Sequence, residues 1–138
     1  MPTRFSWSLP DERAPEGPGL GGPAPSRPLR LALAVNDAHV EAALARQPWA
    51  RVLAIVRSTA ALSAACTAGM DGWVVGLRLP GDDLPACLAA RPAGLAAVVL
   101  AGRIGAEDLG LLARCEATGA RVMLGARIRA AAVLRGLM

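Results

Sequence analysis

Two polar pairs carry the side chains best suited to chemistry. Asn36-Asp37 follows the apolar run RLALAV, and Asp82-Asp83 follows DGWVVGLRLPG. Clustered carboxylates hold divalent cations or divide acid and base work between them. Their supporting groups are few. The chain has one histidine, His39, no Lys and no Tyr, and no nucleophile stands at a recognisable spacing from His39. Cys66, Cys87 and Cys115 lie far apart with no CxxC or Cys/His spacing. That pattern offers no zinc site and reads as core thiols of a reducing compartment. No metal, cofactor or catalytic residue is expected on this inventory.

The elements that position these pairs follow from apolar runs and their breakers. RLALAV (30–35) is a short strand, and AHVEAALAR (38–46) has helical spacing with Asp37 as its N-cap. RVLAIV (51–56) is a second strand, and Ser58 caps the helix TAALSAACTA, which Gly69 closes. GWVVGL (72–77) is a third strand, after which Asp82 or Asp83 caps a short helix with Pro85 in its first turn. LAAVVL (95–100) is a fourth strand, followed by the acid-led helix AEDLGLLARCEAT (106–118) that Gly119 ends. RVML (121–124) and the helix RIRAAAVLRGLM (127–138) complete five βα repeats.

Strands this continuously apolar are expected where helices cover both sheet faces, and crossovers of this length force a parallel sheet. The flavodoxin-like and Rossmann orders both satisfy that pattern. No GxGxxG follows the first strand, which argues against a dinucleotide site. The 138 residues are enough for one core, and 54% are apolar but only 3% aromatic, so Leu, Val and Ala must build it around Trp73 as the largest anchor. Trp49 is expected over the sheet edge.

Net charge is +4 with every basic residue an Arg. These Arg are spread singly without an aromatic ladder, which argues against nucleic acid. No apolar stretch is long enough for a membrane span, and no leader pattern is evident, so a cytoplasmic protein is expected. Residues 1–28 hold seven of the eleven Pro and are expected to form a tail without regular structure, leaving one domain over 29–138. RFSWSL, with Phe5 and Trp7, is a candidate docking motif within that tail.

Five βα units over residues 29 to about 137, with LRLPG after the third strand, resemble the CheY-like receiver domain of bacterial response regulators. DGWVVGLRLPGDD is similar to that family's third strand and the loop leaving it. LALAVNDAHVEAAL resembles its first strand, acidic pair and first helix; AAVVLAGR resembles strand four; EATGARVML resembles the end of helix four and strand five. The resemblance implies the flavodoxin-like strand order 2-1-3-4-5. In the family, two acids after strand one hold Mg²⁺ and an Asp ending strand three accepts a phosphoryl group. A hydroxyl after strand four and a Lys after strand five steady its oxygens. At the matching positions this chain has Asn36 and Asp37, Gly76, Ala101 and Ala126. The resemblance therefore implies a degenerate pseudo-receiver, with Asp82 and Asp83 serving as a helix cap.

The function expected from this is a phosphorylation-independent regulatory module of bacterial signal transduction. It would be no enzyme, and would act through protein partners that include a second copy of itself. The family's interaction face, carried over, comprises Leu109, Leu112, Arg114, Arg121, Arg127, Arg129 and Val133. One alternative is a small-ligand or anion sensor in the cleft at the C-terminal ends of the strands. There Gly76 leaves space, and GARVMLGARIRA sets backbone amides beside Arg127 and Arg129. Another is the receiver-like front domain of a ParA/MinD-like ATPase that positions pili or other polar machinery, which needs a further C-terminal half. A cleft filled by Leu77, Leu100 or apolar neighbours favours a scaffold over a sensor.

Overall fold

A computed structural model describes residues 27–65, 69–81, 83–125 and 129–138. The tail up to residue 26, Cys66, Asp82, Ala126 and Arg127 lie outside the described residues, so the expectations resting on them do too. Strands β1 (Leu29–Ala34), β2 (Ala50–Ile55), β3 (Gly72–Gly76), β4 (Ala96–Ala101) and β5 (Arg121–Leu124) alternate with helices. These are α1 (Ala38–Ala45), α2 (Thr59–Ala65), α3 (Leu84–Ala89), α4 (Leu109–Ala117) and α5 (Ala130–Leu137). Every pairing is parallel and the order is β2-β1-β3-β4-β5. The fold is the flavodoxin-like α/β sheet, one of the two orders the strand pattern allowed.

The helix starts follow the local chemistry. Asp37 Oδ1 accepts from the backbone N–H groups of His39 (2.9 Å) and Val40 (3.2 Å), satisfying two donors that the first turn of α1 leaves open. Ser58 Oγ does the same for Ala61 at 3.1 Å ahead of α2. Asp83 stands before α3 but makes no side-chain cap; Pro85 in the first turn, with no N–H to satisfy, marks that start instead. Ahead of α4, Ala106–Asp108 form a 3-10 turn rather than α-helix. The Asp108 carboxylate folds back there to accept the Gly105 N–H at 2.8 Å.

Two apolar layers sandwich the sheet. One gathers Trp73, Val75, Leu88, Val99, Leu112 and Cys115; the other gathers Leu33, Leu44, Trp49, Val74, Val98 and Val133. Successive residues of β3 and β4 enter opposite layers, as the two-residue period of a strand requires. Each fully buried Val or Leu contributes roughly 1.5–3 kcal/mol relative to exposure. Trp73 is the largest of the fully buried side chains, and Trp49 is buried as well.

The edge strand β2 departs from the expectation of strands covered on both faces. Its exposure alternates along the strand, and Leu53 and Ile55 are 46% and 49% exposed. The pairing with β1 shifts register between Leu31 and Ala32, carrying the chain past Leu53. Helix α2 packs over β1, with Leu62 in the layer opposite that of Leu33, the β1 partner of Ile55. At the opposite end of the sheet from the cleft, Asp71 receives Arg27 (3.0 Å) and Arg30 (3.1 Å). Hydrogen bonds from Arg27 and then Arg30 hold its carboxyl well below the ordinary carboxylate range.

Candidate functional site

The loops leaving β1, β3, β4 and β5 enclose a cleft of about 300 Å³, where open α/β sheets keep their sites. Its walls are Val35, Val40, Leu77, Leu100 and Ala101, its mouth carries Asp37, Arg78 and Arg103, and Gly76, Gly102 and Gly125 bring backbone to its surface. Leu77 and Leu100 are both buried, but they line the open cleft rather than fill it, so the filling expected of a pure scaffold is not seen.

The position that ends β3 is crowded by main chain. Asn36 adopts the left-handed conformation with φ +52°, one that Asn tolerates better than most residues. The turn around it carries Val35 against Gly76. A Cβ built on Gly76 would lie 3.2 Å from Val35 O and 3.3 Å from Val35 Cα. Any side chain at 76 therefore requires the backbone of the β1 turn to move. Asp37 is exposed, and one oxygen of its carboxylate is committed to capping α1. Ala101 is buried in the core. His39, the single histidine, is exposed and meets Asp37 through its backbone.

Magnesium chemistry does not fit these residues. One carboxylate already bound to two N–H groups faces two guanidinium groups across the same cleft. Mg²⁺ favours an octahedral set of oxygen donors, which one capped carboxylate does not supply. Among the described residues no group of three His, Cys, Asp or Glu is placed to hold a metal. Among the described residues the cleft lining contains no hydroxyl, thiol or imidazole.

Arg78 and Arg103 are the functional candidates that sequence reasoning missed. Both sit just past strand ends, in LRLPG and LAGR, and that placement was the available signal. Arg78 pairs with Asp108 at 2.8 Å, and Asp108 is itself buried. The Gly105 N–H, with Arg78 adding to it, holds the Asp108 carboxyl below its ordinary range. Arg103 is exposed and makes no hydrogen bond or ion pair among the described residues.

The chain is similar to a solved structure of a Burkholderia pseudomallei protein described as pilus assembly-related. Identity is 15% and the TM-score 0.60, over 79% of this chain and 86% of that one. At that identity the likeness establishes the shared fold alone. No protein-family model matches the chain, and no curated protein does. The five-stranded parallel sheet is compatible with a receiver fold.

The expected interaction face is only partly a surface. Leu109 is 57% exposed, and Arg114 and Arg121 are exposed. Leu112 and Val133 correct that expectation: they are buried, one in each apolar layer, because helical spacing turns them toward the sheet. Arg129 is half-buried and engaged with a partner. Among the described residues no helix is long and apolar enough to cross a membrane.

Proposed function

We propose that this chain is a receiver-like protein-interaction module that works without phosphorylation and catalyses no reaction itself. The observation that carries the reading is the Val35 backbone against Gly76, which crowds the position where the receiver family has its phospho-acceptor. Ala101 in place of a hydroxyl and the absence of Lys from the sequence support it. The likeness to a protein described as pilus assembly-related supports a setting in the assembly or positioning of a surface appendage. A receiver-like front domain of a ParA/MinD-like ATPase is the alternative arrangement for that setting. Incubation with acetyl phosphate and Mg²⁺, read by intact mass, tests the central element. The expected mass is unchanged; a stoichiometric phosphoryl adduct overturns the reading.

Arg103 favours a second reading, a small-anion sensor. A guanidinium without a partner among the described residues, beside glycine backbone at a cleft mouth, is a ready anion contact. Titration with inorganic phosphate would then shift the amides of Gly76, Gly102 and Gly125 saturably in the wild type and not in Arg103→Ala. Silence in both removes this reading and leaves the first intact.

A further inference from the structure

The edge strand β2 and a motif far from it in sequence remain unexplained by the cleft. Leu53 and Ile55 are two of the four large apolar side chains exposed among the described residues, and both stand on β2. The outer side of β2 is paired with no strand among those residues. Elsewhere, Phe5, Trp7 and Leu9 alternate with Ser6 and Ser8, the two-residue period of a strand with one apolar face. Pro10 follows at once and stops such a strand, because it has no N–H to pair.

We propose that Arg4–Leu9 adds to β2 of its own chain as an antiparallel sixth strand, its apolar side covering Leu53 and Ile55. The nineteen-residue linker can close either orientation, and the antiparallel one gives the shorter path. Leu29 enters the sheet opposite Ala50, so antiparallel addition returns Leu9 to the end of the sheet where β1 begins. A strand outside β2 lies two strand spacings from β1, about 10 Å. The nineteen residues Pro10–Pro28 can span up to roughly 60 Å. The same orientation brings Asp11 and Glu12 past the start of β2, toward the exposed Arg46 and Arg51. The irregular register at Leu53 and the charge of Arg51 hinder open-ended pairing between molecules. Tethering favours the chain's own segment over a second copy, since a short linker gives an effective concentration in the millimolar range.

Hydrogen exchange on the full chain tests this. The wild type is expected to protect the outward amides of β2 and the amides of Arg4–Leu9, independently of protein concentration. Trp7→Asp is expected to speed exchange at the β2 amides at least tenfold. Leu53→Asp, at an exposed side chain that the fold does not need, is expected to release Arg4–Leu9 equally. Identical β2 exchange in the wild type and Trp7→Asp overturns the proposal. So does protection that grows with protein concentration, which would make a second copy the occupant.

Discussion

The main chain of Val35 crowds the space that a side chain on Gly76 would enter, with its O and Cα 3.2 and 3.3 Å from where a Cβ would sit. A side chain there would need that backbone to give by a few tenths of an ångström. Restoring Asp at this position is expected to restore nothing. Gly76→Asp should destabilise the fold by about 1–3 kcal/mol, the usual cost of forcing atoms into a packed site, and remain unmodified by acetyl phosphate. Urea unfolding and intact mass check both halves, and a stable variant that takes up a phosphoryl group contradicts the account.

Much of this was legible in the sequence because it rests on local rules. The five βα units, the parallel sheet, the Asp37 and Ser58 caps and the Trp73 anchor follow from apolar periodicity and from short polar side chains that hydrogen-bond nearby backbone. The crowding at Gly76 was not legible: a missing side chain is visible in sequence, but the approach of Val35 depends on the left-handed turn at Asn36. The exposure of Leu53 and Ile55 was hidden for a related reason. RVLAIV reads as a strand buried on both faces; the order 2-1-3-4-5 expected from the resemblance already made it an edge, but the register shift at Leu53 was not visible. Leu112 and Val133 were drawn onto a surface by family likeness, while their burial is set by helix rotation.

Asp37 acts as a helix cap, so its loss should register in stability rather than in metal response. Asp37→Ala is expected to cost about 1 kcal/mol and Asp37→Asn much less, because the amide oxygen still accepts from the first turn. Added Mg²⁺ should shift the urea midpoint of neither the wild type nor the variants. A midpoint that rises with Mg²⁺ only when Asp37 is present would identify it as a ligand instead.

Acid sensitivity is expected to run through Asp71. Its native pKa is depressed by Arg27 and Arg30, so the carboxylate stabilises the fold above the unfolded value near 4. That contribution is lost as the pH falls below that value toward the lowered native one. Asp71→Asn should therefore lower stability at neutral pH and flatten the acid limb of a stability profile. An unchanged slope below about pH 4 would show that the Arg27 and Arg30 contacts contribute nothing to folding.

The two described cysteines should separate cleanly toward a thiol reagent. Burial removes Cys115 from solvent and pushes its thiol up to about 11, which suppresses the reactive thiolate. Cys87 is only half-buried, between Ser63 Oγ at 3.5 Å and the Thr59 carbonyl at 3.8 Å. Maleimide labelling with peptide mapping should modify Cys87 in the native protein and Cys115 only after denaturation. Equal native rates would contradict the packing described around α4.

The central claim is that the cleft keeps a receiver's frame without its phosphorylation switch. Two-dimensional amide NMR with Mg²⁺ and the phosphoryl mimic beryllofluoride tests it most directly. The account predicts no Mg²⁺-dependent shift at Asn36, Asp37, Gly76 or Ala101. Saturable, Mg²⁺-dependent shifts clustered at those residues would contradict it and assign the cleft a working metal and phosphoryl site.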